Sequence, residues 1–312
     1  MTDAGSGGAG GDTAAPLRNG SPGSTRAARW AWGAVVVLLL GFVALVTYAL
    51  THTSPTAGVA RPTITAGDIV ATLAGVAPAT FDSVGVTVPG TALTPPTVLD
   101  GQPPLSRSGR PEVLFVGSEY SPFCAAERWA LVVALGRFGR FGVLHNTQSA
   151  PLSVFSGIQS FSFTDTTYSS RYLTLTGVEL YSDQVGADGT FTRITRLDPG
   201  EAALVARYTA QVDGAGAPAT WPFVDIANRM VATTSGFSPA LLVGQSQAQI
   251  AAEVAQPLAA ATGPTPAPPS GAAIVAAANE LSAGICLATD GAPAAVCSSK
   301  AVRSADQALG LG

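Results

Sequence analysis

Charged side chains are scarce in this sequence. Asp, Glu, Lys and Arg make up 12% of the 312 residues, the formal net charge is −4, and Lys300 is the only lysine. Nucleic-acid binding normally requires a basic surface, so this composition argues against that class of partner. His52 and His145 are isolated, no acidic spacing matches a calcium loop, and no glycine-rich phosphate loop occurs. We therefore expect neither a metal nor another cofactor.

One stretch lacks charge altogether. Between Trp30 and Leu50 lie 21 uncharged, mostly apolar residues, enough for a helix across the roughly 30 Å hydrocarbon core. Trp30, Trp32 and Tyr48 occupy the positions of interfacial aromatics. A buried core helix of this length rarely lacks a polar face. A cleaved signal peptide is opposed by the length of the run and by the lack of a small-x-small site after it. We interpret residues 30–50 as a transmembrane signal anchor.

The flanking charges predict the orientation of that span. Arg18, Arg26 and Arg29 precede it, and no basic residue follows until Arg61. Because basic flanks stay cytoplasmic, the N-terminus is expected inside a cell membrane crossed once, and the rest extracytoplasmic. Disulfides persist in that compartment, and the partners within reach are the membrane itself and extracytoplasmic proteins or peptides.

Composition divides the chain into seven parts. They are a disordered cytoplasmic tail (1–29), the transmembrane helix (30–50), a tether (51–66), a helical and Pro-rich lead-in (67–110), a compact domain (111–256), a linker (257–271), and a C-terminal helix with a disulfide loop (272–312).

The compact domain shows a recognisable order of elements. A continuous apolar run predicts a buried strand at 113–117, followed by a helix at 122–138 and a second strand at 141–146. Short alternating pieces fill 148–195 in an order that we do not assign. A helix at 201–208, two strands at 221–226 and 229–232 around a tight turn, and a final helix at 239–255 complete the domain. This order predicts an α/β thioredoxin-like fold, with a mixed central sheet flanked by helices.

The segment Ser121-Pro122-Phe123-Cys124 carries the chemistry. Thiol–disulfide oxidoreductases place a Cys-x-x-Cys pair at such a strand-to-helix junction, where the helix N-terminus lowers the pKa of the first thiol. Here that position is Ser121, so Cys124 has no partner to resolve a mixed disulfide. Ser121 is a preferred helix cap rather than a catalytic hydroxyl, since no His or acid lies near it in sequence. Cys124 is a buried inert side chain, a reactive single thiol, or a partner for a cysteine of another chain.

Several segments resemble one family. Residues 111–129, with 134–139, 220–225, 285–286, 295–297 and 75–81, are similar to family 929 of domains of unknown function, over about residues 65–303. The resemblance implies a thioredoxin-like fold and a membrane-anchored protein of actinobacterial or archaeal type. The family pattern at 120–124 is Tyr-Cys-Pro-Tyr-Cys, whereas this chain has Tyr-Ser-Pro-Phe-Cys. That departure puts dithiol exchange in doubt.

The same resemblance predicts a substrate groove. A proline just before a strand is usually cis in such folds and lies opposite the cysteine motif, which places Pro222 there. The groove would be formed by Tyr120, Pro122, Phe123, Trp221 and Pro222. Pro222 is otherwise an edge-strand proline without a role, and Trp221 is otherwise an ordinary core residue.

Two further clusters leave alternatives open. Cys286 and Cys297 are 11 residues apart, a spacing that suits a structural disulfide in an oxidising compartment, although one of them could instead reach Cys124. Glu127 and Arg128, just inside the helix, are expected on a solvated face or in a local ion pair.

The sequence therefore predicts an envelope module that binds polypeptides or acts as a chaperone, with a degenerate Ser-x-x-Cys motif. The alternatives are a thiol–disulfide oxidoreductase that acts through Cys124 and a scaffold whose groove is vestigial.

Overall fold

A computed structural model of the chain describes residues 67–151, 154–214, 221–257 and 269–311. The tail, transmembrane helix and tether predicted for residues 1–66 lie outside these ranges, as does most of the linker predicted at 257–271.

The described residues form a mixed α/β structure. Its helices are α1 (Gly67–Ala74), α2 (Pro78–Val84), α3 (Pro122–Gly136), α4 (Pro199–Asp213), α5 (Gln247–Ala255), α6 (Ser270–Ala288), α7 (Ala294–Cys297) and α8 (Lys300–Leu309). Its strands are β1 (Thr97–Val98), β2 (Ser106–Arg107), β3 (Arg110–Gly117), β4 (Arg140–Gln148), β5 (Gln159–Ser169), β6 (Thr174–Glu179), β7 (Tyr181–Val185), β8 (Phe191–Arg193), β9 (Phe223–Ile226) and β10 (Met230–Ala232).

The central sheet is built around β3. This strand pairs in parallel with β6 and antiparallel with β9, while β10 and then β1 extend the sheet beyond β9, and β2 pairs with the start of β3. All residues from Glu112 to Gly117 are buried, as the apolar run at 113–117 predicts for a strand covered on both faces. The sheet is mixed, as expected.

Alternate residues of β3 face two different helical layers. Val113 and Phe115 belong to the larger apolar core, which includes α3 and α6. Leu114 and Val116 belong to a second core with Val205 of α4. Because side chains alternate along a strand, this division places α3 and α6 on one face of the sheet and α4 on the other.

The predicted second strand exists but has a different partner. Residues 141–146 fall within β4, which pairs antiparallel with β5 in a separate two-stranded sheet. The parallel neighbour of β3 is instead β6, which begins at Thr174. The reason is burial: β4 carries Arg140, His145 and Gln148, and most of its side chains stay partly or fully exposed, so it does not suit a sheet covered on both faces.

The helix predicted at 239–255 is not continuous. A 3-10 turn covers Pro239–Leu242, Gly244 has φ +78°, and α5 begins only after Ser246. Ser246 and Gln249 form a capping box, which starts a new helix in place of continuing the old one.

The helix that packs beside α3 is α6, which is the helix predicted at the start of the C-terminal part (272–312). It begins two residues earlier, at Ser270, and ends at Ala288. This helix is long and apolar enough to cross a membrane, but 89% of its most apolar 18-residue stretch is buried within the protein, as in a core helix.

The turn between β9 and β10 lies where it is predicted. Ala227 and Asn228 have φ values of +53° and +55°, as the two central residues of a tight hairpin turn require. Asn228 N–H donates to Asp225 Oδ1 at 2.7 Å, and the Tyr208 hydroxyl donates to Asn228 Oδ1 at 2.8 Å. The first bond closes the turn, and the second attaches the hairpin to α4.

Candidate functional site

The start of α3 is organised by Ser121. Its Oγ accepts the N–H of Cys124 at 3.3 Å, and Pro122 occupies the first helical turn, where a missing N–H costs nothing. Ser121 is therefore the helix cap, and its hydroxyl is occupied by a backbone bond.

Cys124 lies beneath that cap and is fully buried. The N–H of Ser118 donates to its Sγ at 3.5 Å. A Cβ added to Gly117 would lie 3.0 Å from the same sulfur, so the strand end covers the thiol closely. Burial raises the pKa of Cys124 to about 11, despite the opposing influence of Arg128. At neutral pH the group is a protonated thiol without access to solvent.

The other two cysteines are bonded to each other. Cys286 at the end of α6 and Cys297 at the end of α7 form a disulfide with a Cα–Cα distance of 5.5 Å, which confirms the predicted pair. Cys124 is the free cysteine.

A buried ionic layer lies on the inner side of α3. Arg128 donates Nε to Glu179 Oε1 at 2.8 Å and Nη2 to Glu179 Oε2 at 2.6 Å, and both side chains have no exposed area. Glu179 Oε1 also accepts the N–H of Phe163 at 3.1 Å. Glu119, bonded to the hydroxyl of Ser162, has its pKa raised by burial.

The expectation for Glu127 and Arg128 is therefore wrong. Neither side chain is solvated, and they do not pair with each other: Arg128 pairs with Glu179 of β6, and Glu127 Oε2 accepts the N–H of Gly236 at 2.9 Å. The physical reason is that α3 is enclosed on all sides, so even its polar positions must find internal partners.

Pro222 lies at the same end of the sheet as the motif. Val116 is paired with Phe223, so continuing the register places Pro222 beside Gly117, where β3 leads into the motif. The Trp221–Pro222 bond is cis, and Trp221 packs half-buried against both apolar cores. No hydrogen bond joins the backbone of Trp221 to another residue in the described ranges.

Aromatic side chains surround this end of the sheet. Tyr120 stacks on Phe191 of β8 at a centroid distance of 4.1 Å, and Phe123 meets Phe155 edge-on at 6.3 Å. Six large apolar side chains are exposed among the described residues. Four of them are Phe123 itself, Val154 next to Phe155, Val185 at the end of β7, and Ile194 just after β8. We call this set of side chains the aromatic rim and define it by Tyr120, Phe123, Phe155, Phe191 and these exposed neighbours.

The sequence predicted only part of this rim. Tyr120 and Phe123 belong to the groove that the resemblance predicts, whereas Val154, Phe155, Val185 and Phe191 come from the stretch 148–195, in which the sequence assigns no order of elements. No local signal identifies them, because β7 and β8 reach Tyr120 only through tertiary packing.

In the part of the chain that the structure describes, no three His, Cys, Asp or Glu side chains are grouped to hold a metal.

A comparison with known protein families identifies the family of the chain. A sequence profile of the family described as "Domain of unknown function (DUF929)" matches residues 100–287. The chain belongs to this family. The DUF929 match includes the motif, the aromatic rim and α6 up to Leu287, and it is shorter than the 65–303 expected from the resemblance. Neither the curated proteins nor the solved structures that were compared contain a match to the chain.

Proposed function

We propose that this chain is a membrane-anchored, extracytoplasmic binding module with a thioredoxin-like fold, whose aromatic rim holds extended apolar polypeptide. The fold is supported by the order of elements around β3. A strand leads into α3, a parallel strand β6 follows, α4 covers the opposite face, and two antiparallel strands precede the helix α6 that packs beside α3. The β4–β5 and β7–β8 hairpins are insertions into that order.

The observation that carries the binding role is the contrast between Cys124 and its surroundings. The Cys124 thiol is fully buried and its pKa is raised to about 11, while the side chain of Phe123, its neighbour in the motif, is 40% exposed. Disulfide exchange needs an accessible thiolate, so the geometry favours binding over the alternative of a thiol–disulfide oxidoreductase.

The backbone of Trp221 supplies a second argument. Its N–H and C=O have no partner among the described residues, and they border the rim. Backbone N–H and C=O groups that lack an internal partner can be satisfied by the backbone of a bound extended peptide. Apolar side chains of that peptide would then contact Phe123 and Tyr120.

Binding is tested with the full chain in nanodiscs and fluorescently labelled extended peptides rich in Leu and Phe. We expect Phe123→Ala to weaken binding about tenfold, as for an aromatic side chain at the centre of an interface. Leu287→Ala is the matched control, because Leu287 is also 40% exposed but lies at the end of α6. Equal affinity for Phe123→Ala and the unmodified chain would refute the binding site.

A second experiment separates binding from thiol chemistry. Iodoacetamide applied to the native chain should leave Cys124 unmodified, with complete labelling after denaturation, as measured by mass spectrometry. Rapid native labelling would instead support the oxidoreductase.

A further inference from the structure

Three arginines from separate segments meet around one loop. Arg140, at the start of β4, is paired in register with Ser169, the last residue of β5. Arg110, at the start of β3, donates to the carbonyl oxygen of Ser170. Arg171 follows directly, and its side chain lies over the Tyr172 ring. We call Arg110, Arg140 and Arg171 the basic face.

These guanidinium groups have no acidic partners in the described ranges. The ion pairs there are Arg107–Glu112 and Arg128–Glu179, and neither involves the basic face. Arg140 and Arg171 are exposed, and Arg110 is half-buried. The nearby Asp68 carboxylate accepts the N–H of Ile69 in α1. A set of unpaired cations at one place on a protein of net charge −4 favours an anionic partner.

The basic face adjoins the point where the described chain begins. A groove of about 280 Å³ is lined by Gly67, the first described residue, by Arg140, by the half-buried side chains of Val70 and Phe141, and at its base by the buried Leu73 and Leu144. Cationic and apolar side chains therefore occur side by side, the combination that suits the interface of a bilayer.

The sequence supplies a reason why the anionic partner of the basic face is a membrane surface. Residues 51–66 connect the predicted span at 30–50 to Gly67, and sixteen residues reach at most about 55 Å even when fully extended. The first anionic surface within that reach is the membrane that would hold the span.

We propose that the basic face docks on the anionic headgroups of the membrane that carries this chain's own anchor. The inference rests on the anchored placement in the proposed function. The basic face and the motif lie at opposite ends of β3, about 23 Å apart at 3.3 Å per residue. Docking therefore turns the aromatic rim away from the membrane, towards polypeptides in the extracytoplasmic space.

The test uses hydrogen exchange of the full chain in nanodiscs with neutral or anionic lipid. We expect the segments 139–144 and 169–175 to exchange more slowly in anionic than in neutral nanodiscs, by about twofold or more. Raising the salt concentration should remove the difference, because surface electrostatics are screened. The Arg140→Gln/Arg171→Gln variant should lose the protection, whereas Arg207→Gln/Arg303→Gln, with the same change in charge on exposed positions elsewhere, should keep it.

The outcomes separate this inference from the proposed function. An inserted chain that binds peptide but shows equal exchange in both lipids would overturn docking alone. Protection at the aromatic rim in place of the basic face would overturn it as well, by showing the opposite orientation. A chain that does not insert would overturn both docking and the anchored placement.

Discussion

Two buried carboxyl groups between α3 and α6 should make this protein less stable as the pH rises. Glu127 is 1% exposed and Glu280 is 4% exposed, and the charge of Glu127 raises the pKa of Glu280. Glu127 accepts one backbone N–H from Gly236, whereas Glu280 Oε2 has no hydrogen-bond partner among the described residues. Arg137, the nearby cation that bonds to α6, donates to Asn279 and Ser282 and not to either carboxylate.

The size of the effect follows from the two pKa values. Burial raises the pKa of Glu127 to about 7, and burial together with Glu127 raises that of Glu280 to about 7, from an ordinary 4.5. Between pH 4.5 and 7 the folded state holds protons that the unfolded chain has released. The two buried carboxyl groups therefore cost the folded state no stability below about pH 4.5. The free energy of unfolding then falls as the pH rises through about 7, and this loss is the penalty for ionising the buried groups. A shift of about 2.5 pKa units corresponds to about 3 kcal/mol per group as an upper limit.

Glu127→Gln should remove that penalty without removing the acceptor for Gly236. We expect the free energy of unfolding to change little at pH 4.5 and to rise by up to about 3 kcal/mol at pH 8. Glu127→Gln/Glu280→Gln should gain less than the sum of the single variants, because either amide ends the mutual repulsion. Asp100→Asn, the same change of charge at an exposed carboxyl group, is the control.

Cys124 provides the assay. It is the free cysteine and is fully buried, so a brief pulse of a thiol reagent active at low pH labels only unfolded chains during a urea titration. The readout is local to the domain and needs no removal of the anchor. A gain for Glu127→Gln that is equal at pH 4.5 and pH 8, or a loss of stability at pH 8, would refute the reasoning.

Three further predictions use the same assay. Arg128→Met should lower the free energy of unfolding by about 3–5 kcal/mol, because it leaves the Glu179 carboxylate buried without its cation. Arg128→Met/Glu179→Leu should recover much of that loss. A double variant as unstable as the single one would contradict this. Gly177→Ala should lower the free energy of unfolding by about 1–3 kcal/mol, because the new Cβ would lie 2.3 Å from Phe163 Cβ. Gly136→Ala is the control: its Cβ would meet open space in a helix, so the free energy of unfolding should not fall. Similar effects of the two changes would count against the close packing of β5 on β6. Cys286→Ala/Cys297→Ala should lower stability by about 2–3 kcal/mol, and no change would mean that the disulfide constrains little.

The sequence alone determined the elements whose signals are local. The apolar run at 113–117 predicts a buried strand, Ser121 and Pro122 mark the start of α3, and Ala227–Asn228 mark a hairpin turn. Each of these signals depends on a few neighbouring residues, so it can be identified without knowledge of the fold. The disulfide followed from two cysteines at a suitable spacing.

Only the tertiary structure decided which strand pairs with β3, where the charges of α3 find partners, and which side chains form the aromatic rim. β6 rather than β4 is the parallel neighbour, and Arg128 pairs with Glu179 across 51 residues of sequence. Such pairings depend on which surfaces remain buried after all elements have packed, and no short segment contains that information. The burial of Cys124 is the same kind of property: the motif gives the position of the sulfur, and the elements packed around it bury the thiol and raise its pKa.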